Sequence, residues 1–281
     1  MDITTPNTTK PHLVIRPSKG WQALNLRELW RFRDLFFSLA ERDVKLRYRQ
    51  TALGVIWVVI QPLIAAGIFS FVFGRVARLP SDGVPYLVFS YAGLLGWNAF
   101  QNTVTKASAS LVQNQALISK TFFPRILLPL SLLCSTLIDF GVALIMMGVL
   151  MAVYGIAPTA GLLLLPVWLL LILMLAAGIG LYASAVAVTY RDVLHVVPVA
   201  MQMLLYASPI AYSVTAVPAR WHALYMLNPL SGLLEGFRWS LLGRGPLPLG
   251  SLAYAAVVSL GVLLAGAIVF QKMERRFADV V

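Results

Sequence analysis

Side chains that could carry out catalysis or bind a metal are few in this chain of 281 residues. His12, His195 and His222 are scattered, so they lack the spacing of metal ligands. The sequence contains neither GxxxxGK followed by Ser or Thr nor a GxSxG nucleophile motif. Nucleotide hydrolysis through a P-loop is therefore excluded, and we expect no metal site and no catalytic centre on this chain.

One acidic residue, Asp139, lies in the middle of a long apolar stretch. A carboxylate at the centre of a membrane helix costs about 3 kcal/mol, which many apolar neighbours can offset. It could pair with a cation inside a helix bundle or take part in proton-coupled transport. Proton relays usually use several ionisable groups, so a single Asp favours structural pairing.

Apolar segments dominate the chain, since 59% of its residues are hydrophobic and only 12% are charged. A soluble domain needs a polar surface that this composition cannot supply. About 20 apolar residues cross a membrane as a helix, and the alternating pattern of a membrane barrel is absent. We therefore predict an all-α integral membrane protein with six transmembrane helices. The predicted spans are Leu53–Phe73, Val84–Val104, Ile126–Tyr154, Leu162–Val188, Val193–Tyr212 and Leu252–Phe270.

Basic residues predict the orientation of these spans. Seventeen of the 22 Lys and Arg residues fall on one side, ten of them before residue 53. The positive-inside rule places that side, with both termini, in the cytoplasm. The net charge of +11 then reflects membrane topology and contact with lipid headgroups, so no nucleic-acid partner is expected.

Three regions are expected: a flexible polar N-terminus at 1–24, an amphipathic interfacial helix at 25–50, and a six-helix transmembrane domain at 51–281. The interfacial helix either anchors the chain in lipid headgroups or also packs on a cytoplasmic partner. Its predicted apolar face contains Leu26, Leu29, Trp30, Phe37, Ala40, Val44 and Tyr48.

Two connecting segments are unusual. The cytoplasmic turn Ser108–Arg125 is long enough to present a short helix, which either docks on another protein or rests on lipid. The outward segment Ser213–Gly250 predicts a pair of short re-entrant helices between spans five and six, or else a surface hairpin. Asn228 can cap a helix that starts at Pro229.

Several motifs occur in order along the chain. They are Lys45–Gln50 followed by Leu53–Trp57 and Gln61–Leu63, then Ser119–Arg125, then Tyr190–Val193, and finally Asn228–Pro229 with Glu235–Arg238. These motifs resemble those of the ABC-2-type permeases of polysaccharide exporters. The resemblance extends from about Leu29 to Arg276.

This resemblance implies a transport permease and not an enzyme. It implies a homodimer in the bacterial cytoplasmic membrane, joined to two copies of a separate ABC ATPase that carries the ATP and Mg²⁺. No cofactor is then expected on this chain. The implied substrate is a polyprenyl-pyrophosphate-linked glycan such as O-antigen, capsule or teichoic acid.

The resemblance also implies roles for two groups of residues. Contact with the ATPase is implied for Gln115, Leu117, Ile118, Ser119, Lys120 and Phe122, and for Tyr190, Arg191 and Asp192. The outer gate is implied to include Asn228, Pro229, Glu235 and Arg238.

Two further groups suit a lipid-linked glycan. Aromatic faces let sugar CH groups slide without deep hydrogen-bonded traps. The channel-lining candidates are Trp57, Phe69, Phe73, Trp97, Phe100 and Tyr206. A cationic cluster either recruits the lipid pyrophosphate or anchors the chain in lipid, and it comprises Arg42, Lys45, Arg47 and Arg49.

Three alternatives stay open at this point. An ABC-2 permease could instead export a drug or a small lipid. A membrane enzyme acting on polyprenyl-linked sugars would need interfacial carboxylates or His residues, which here are scattered. A structural scaffold would need no ATPase.

Overall fold

The structure, a computed structural model, describes residues 26–48, 54–244 and 249–274. The predictions for residues 1–24, and for Arg49 in the cationic cluster, lie outside this part of the chain. Within it every regular element is a helix. The helices are α1 Leu26–Arg31, α2 Arg33–Tyr48, α3 Ile56–Phe69, α4 Tyr86–Gln113, α5 Gln115–Lys120, α6 Leu127–Val153, α7 Leu165–Thr189, α8 Val193–Tyr206, α9 Ala219–Met226, α10 Pro229–Leu242 and α11 Leu249–Glu274.

Four of the six predicted spans coincide with helices that are long and apolar enough to cross a membrane. They are Ile56–Val76, Leu127–Val153, Ala160–Thr189 and Gly250–Glu274. The first continues α3 through a π-helical stretch, Ser70–Val76, and the third begins with a 3₁₀ turn before α7. The protein is therefore a multi-pass membrane protein.

The other two predicted spans correspond to α4 and α8. With 28 residues α4 is long enough, but polar side chains interrupt its apolar surface. With 14 residues α8 extends only about 21 Å. The count of six spans stays a prediction.

The predicted fifth span extends too far. Its helix ends at Tyr206 and not at Tyr212, and a turn follows. Pro209 explains the early end, because proline disfavours a helical conformation at the preceding residue, Ser208. The earlier proline, Pro198, lies inside α8.

The segment predicted to face outward contains two short helices, α9 and α10, as expected. Asn228 accepts a hydrogen bond from the backbone N–H of Leu230 and so caps α10. Gly243 ends this helix in the left-handed conformation, with φ of 63°. Their entry into the membrane stays a prediction.

Helix α4 lies at the centre of the bundle, where α3, α6, α7, α8 and α10 all pack on it. Its Tyr91, Trp97 and Phe100 have no exposed surface. Around α4, α3 contacts α6, α6 contacts α7, and α7 contacts α8, whereas α3 and α8 make no comparable contact. The ring of helices is therefore open between α3 and α8.

Glycine allows α7 and α11 to approach closely. A Cβ atom on Gly178 would lie 2.5 Å from the carbonyl oxygen of Val262. Small residues at such crossings bring helix backbones into contact where lipid provides no hydrophobic driving force. This contact fixes α11 against the bundle.

The predicted amphipathic segment is helical and is divided into α1 and α2, and its position in the lipid headgroups stays a prediction. Leu39 and Ala40 are buried against the bundle, whereas Trp30 and Phe37 are 69% and 63% exposed. The segment formed by α1 and α2 therefore has apolar residues that pack on the bundle and others that remain exposed.

Candidate functional site: a cytoplasmic docking face and its ionic anchor

Asp139 of α6 is the centre of a buried ionic anchor. Its carboxylate is 5% exposed and accepts hydrogen bonds from the Arg47 guanidinium and the Tyr48 hydroxyl. Lys106 Nζ of α4 lies 3.2 Å from Asp139 Oδ2 and 3.2 Å from Ser135 Oγ. The anchor therefore joins the C-terminal end of α2 to two helices of the bundle.

This geometry shows Asp139 in the structural pairing that its isolation in the sequence favours. A buried carboxylate is tolerated when cations and hydrogen bonds compensate it, as here. Burial, together with the hydrogen bond to Asp139, raises the pKa of Tyr48 to about 12. The phenol therefore stays protonated and continues to donate throughout the physiological pH range.

A second contact holds α2 at the corner between α4 and α5. Arg42 Nη2 donates to Asn114 Oδ1 at 2.8 Å, and Asn114 Nδ2 donates to the carbonyl of Ser110 at 2.8 Å. Asn114 immediately precedes α5, so Arg42 connects the amphipathic helix to the start of that short helix. Movement of α5 would therefore be transmitted to α2.

Two of the four residues of the predicted cationic cluster thus contact protein groups. Arg42 pairs with Asn114 and Asp43, and Arg47 pairs with Asp139. Lys45 is mostly exposed and contacts only the exposed Glu41 within the described residues, at 2.5 Å. Exposed pairs contribute little, so Lys45 is free to exchange this partner for a phosphate.

The short helix α5 separates its residues into a buried and an exposed side. Ile118 is 8% exposed and packs with Leu39 and Leu111. Leu117 and Gln115 are partly buried, whereas Ser119 and Lys120 are exposed. The buried side fixes α5 on the bundle, and the exposed side is available to a partner.

Two adjacent phenylalanines that follow α5 have opposite environments. Phe122 is 74% exposed, whereas Phe123 is 6% exposed and packs in the same cluster as Ile118. The backbone at Thr121 is extended, and extended residues point alternately to opposite sides. The side chain of Phe122 therefore points away from the core that holds Phe123.

The turn between α7 and α8 lies at the same end of the bundle. Val188, near the end of α7, belongs to the cluster that includes Ile118 and Phe123. Beyond it Tyr190 is 65% exposed, and Arg191 and Asp192 are exposed. The predicted coupling residues therefore share one end of the molecule.

The end of α11 is also joined to this region. The backbone N–H of Arg125 donates to Glu274 Oε1 at 2.9 Å, and Arg125 Nη1 donates to the carbonyl of Glu274 at 3.3 Å. Helix α11, the start of α6 and the segment after α5 are thus held together. The whole end is one packed unit.

The predicted outer-gate residues form a second network at the opposite end. Arg238 of α10 is 4% exposed and donates to the carbonyls of Pro209 and Ile210. Its guanidinium lies 3.9 Å from the Phe89 ring centroid. Glu235 Oε1 accepts from Arg238 at 3.4 Å, so the pair fixes the turn after α8.

Asn228 and Glu235 hold the same turn from its other side. Asn228 Nδ2 donates to Ser208 Oγ at 3.0 Å, and Glu235 Oε1 accepts from the Val214 N–H at 3.2 Å. Gly93 of α4 allows this approach, because a Cβ there would lie 2.6 Å from the Ile210 carbonyl oxygen. Pro229 occupies the first turn of α10.

We expect Arg238→Met to lower the free energy of unfolding by about 2 kcal/mol, because it leaves two buried carbonyls without a donor. Arg244→Met provides a matched control, since Arg244 is exposed just beyond α10. Thermal unfolding of the purified proteins in detergent measures both. Equal midpoints for the two variants would contradict the role of Arg238.

The channel-lining candidates separate into three groups. Trp57 and Tyr206 are 51% and 61% exposed on α3 and α8. Phe69 and Phe73 are partly buried and contact each other edge to face, with centroids 5.7 Å apart. The remaining two require a correction.

Trp97 and Phe100 were expected on a channel surface, and this expectation is wrong for the isolated subunit. Both have no exposed surface and belong to the core around α4. Their ring centroids lie 5.7 Å apart, as in packed interior aromatics. The spacing of aromatic residues along a helix is the same whether that face packs in a core or lines a channel, so the sequence does not distinguish the two.

Sequence reasoning missed Tyr48, Lys106 and Asn114 as parts of the anchor. Lys106 is only one of the seventeen basic residues counted for topology, and Tyr48 is assigned to an apolar face and to the Lys45–Gln50 motif. A basic residue inside an otherwise uncharged helix was the one available signal for Lys106. No local pattern identifies Asn114 as a partner of Arg42.

The candidate site lies within a segment shared with known proteins. The profile of the family described as ABC-2 type transporter matches residues 34–242. The chain belongs to this family. The match begins in α2 and ends with α10, so both networks lie within it, whereas α11 lies beyond it.

Individual members of the family match almost the whole chain. An O-antigen export system permease protein, RfbA, of Myxococcus xanthus is 29% identical over 257 residues, covering 90% of this chain and 98% of the relative. RfbA of Klebsiella pneumoniae is 27% identical, covering 88% and 95%. The polysialic acid transport protein KpsM of Escherichia coli is 28% identical, covering 83% and 91%.

Proposed function

We propose that this chain is the transmembrane subunit of an ATP-driven exporter that moves a polyprenyl-pyrophosphate-linked polysaccharide across the bacterial inner membrane. One observation carries the proposal: relatives named as O-antigen export permeases match about nine-tenths of this chain, and in one case the match covers 98% of the relative's own length. A drug or small-lipid exporter of the same family is the alternative.

The energy source in this proposal is a separate ATPase. The chain has no P-loop, so ATP must be hydrolysed elsewhere. The exposed side of α5, Phe122 and the turn at Tyr190 offer one docking face for that ATPase. Rigid-body closure of two ATPase subunits would push this face and, through Arg42 and Asp139, move α2 with it.

Six spans with both termini in the cytoplasm complete the topology we propose. Helix α2 and the C-terminal end of α11 both contact the segment around α5, which supports an even number of crossings between them, with α4 and α8 as the second and fifth spans. In this arrangement α9 and α10 re-enter the membrane from its outer side, and the network around Arg238 holds the outer gate.

A homodimer suits the exposed surfaces of α3 and α8. Both helices bear large apolar side chains that nothing in the described part of the chain covers, among them Ile64, Ile68, Val199 and Met203. A path along the dimer axis would then run between α3 and α8 of both copies. Trp57 and Tyr206 are the aromatic residues best placed to contact the glycan there.

We expect Lys45→Gln combined with Arg49→Gln to weaken binding of the carrier lipid by about 30-fold, since each surface cation contributes about 1 kcal/mol near anionic groups. Arg47 is kept, because it belongs to the anchor. Flotation with vesicles that contain undecaprenyl pyrophosphate measures the affinity. Arg33→Gln, an exposed cation earlier on α2, is the control, and equal losses would favour general lipid anchoring.

The function itself is tested by deleting the chain from its host and restoring it on a plasmid. We expect deletion to leave the lipid-linked glycan in the inner leaflet and restoration to return it to the cell surface. Antibody or lectin labelling of intact cells measures export. Normal surface glycan in the deletion strain, with altered sensitivity to drugs, would favour the alternative.

A further inference from the structure

Three amide side chains form a stripe along α4, the most central helix of the bundle. Asn98, Gln101 and Asn102 are partly exposed, and Thr105 continues the same side. At 100° per residue these four positions lie within an arc of about 100°. None of the three amides hydrogen-bonds a side chain or backbone group elsewhere in the described residues.

Such a stripe cannot face lipid without a large cost. The three amides lie about 18–24 Å from the start of α4, well inside the proposed membrane. Amide groups in hydrocarbon lose their hydrogen bonds to water, and no partner in the described residues replaces them. The stripe must therefore face water, a polar ligand or another protein.

The opposite side of α4 faces the interior of the subunit. There Gly93 and Gly96 allow close packing, since a Cβ on Gly96 would lie 2.9 Å from Leu234. Helices α6 and α7 cover further parts of α4, so its partly exposed amides would lie toward the opening between α3 and α8. Other polar residues of α4, such as Ser90 and Thr103, are buried, which sets the amides apart from them.

The helices on the two sides of this opening, α3 and α8, expose apolar side chains, whereas α4 between them exposes amides. Ile64 and Ile68 on α3 are each 56% exposed, and Val199 and Met203 on α8 are 53% and 69% exposed. A second copy of the chain would meet these protruding apolar rims first. The recessed amides of α4 would remain on the floor of the space between the copies.

We propose that Asn98, Gln101 and Asn102 form a polar track that hydrogen-bonds the hydroxyl groups of the passing sugar units. This inference rests on the proposed function and adds the surface that contacts the substrate. Each amide offers both donors and an acceptor, as a sugar hydroxyl does, and carries no charge. When a sugar hydroxyl replaces a water molecule on such an amide, the free energy changes little. The glycan would therefore be guided along α4 without binding tightly at any one position.

The first test is photocrosslinking in the host strain, with the full chain and its ATPase partner. A benzophenone side chain is placed at position 101 and, as a control, at position 145, where Ile145 is 72% exposed on α6. We expect irradiation to join glycan to position 101 and not to position 145. Glycan staining and chemical deglycosylation of the adduct identify it.

Two results would contradict the proposed polar track. One is an adduct at position 101 that contains only a second copy of the chain, with twice the mass of the monomer. The other is the absence of glycan adducts while the same protein restores export. If the wild-type chain restores no export, the proposed function itself fails, which is a separate result.

Substitution provides a second readout that does not depend on the probe. We expect Asn98→Leu, Gln101→Leu and Asn102→Leu together to lower the export rate about tenfold, with ATPase assembly unchanged. Asn98→Gln, Gln101→Asn and Asn102→Gln keep the amides and should restore most of it. Equal export by the Leu and amide variants would contradict the inference.

Discussion

Replacing Asp139 with Asn is expected to lower the free energy of unfolding by about 3 kcal/mol. The change leaves the Arg47 and Lys106 cations close together without a counter-charge, and breaking a buried pair typically costs 3–5 kcal/mol. Partial exposure of both cations, with 35% and 23% of their side chains exposed, reduces this figure. Thermal or denaturant unfolding of the purified protein in detergent measures it.

The control for this prediction is Glu41→Gln, which removes an exposed pair on the same amphipathic helix. We expect no measurable change there, because solvent screens an exposed pair. Adding Lys106→Met to Asp139→Asn should recover part of the stability, because it removes one of the two unpaired cations. If the losses of stability from the two substitutions simply add in the double variant, Asp139 and Lys106 do not interact directly.

Replacing Phe122 with Asp is expected to uncouple ATP turnover from export while the permease still folds and inserts. An exposed aromatic side chain at a protein interface commonly contributes 2 kcal/mol or more, which corresponds to about 30-fold in affinity. Co-purification of the ATPase, its ATP turnover and surface glycan are measured together. We expect export to fall far more than ATP hydrolysis.

The neighbouring residue supplies the comparison. Phe123→Ala should instead cost about 3–5 kcal/mol of stability, because Phe123 is 6% exposed in the core. The two variants therefore separate docking from folding. Normal export by the Phe122→Asp variant would remove this side chain from the docking face.

Both predictions concern the same mechanical unit. Arg42 and Asp139 attach α2 to the bundle, and Ile118 and Phe123 attach the segment around α5. A force applied at Phe122 would therefore reach α2 and α6 through packed contacts, without the intervention of a flexible linker.

Local pattern was a reliable guide where one element determines its own structure. The cap at Asn228, the proline at Pro229 and the final Gly243 predicted α10 from the chain alone. The end of α8 was misjudged, because apolar residues continue past Tyr206 although Pro209 prevents a longer helix. Trp97 and Phe100 were misplaced because an apolar side chain gives the same pattern in a core and in a channel.

The sequence by itself determined that this protein lies in a membrane, that it is helical, and which family it resembles. These follow from composition, short-range periodicity and motifs in order along the chain, all of which are local. Only the tertiary structure decided that Arg47 meets Asp139, 92 positions away, and that the amides of α4 stay partly exposed while most of its other residues are buried. Such pairings depend on how helices pack, and the pattern of an isolated helix does not specify which neighbour each face will meet.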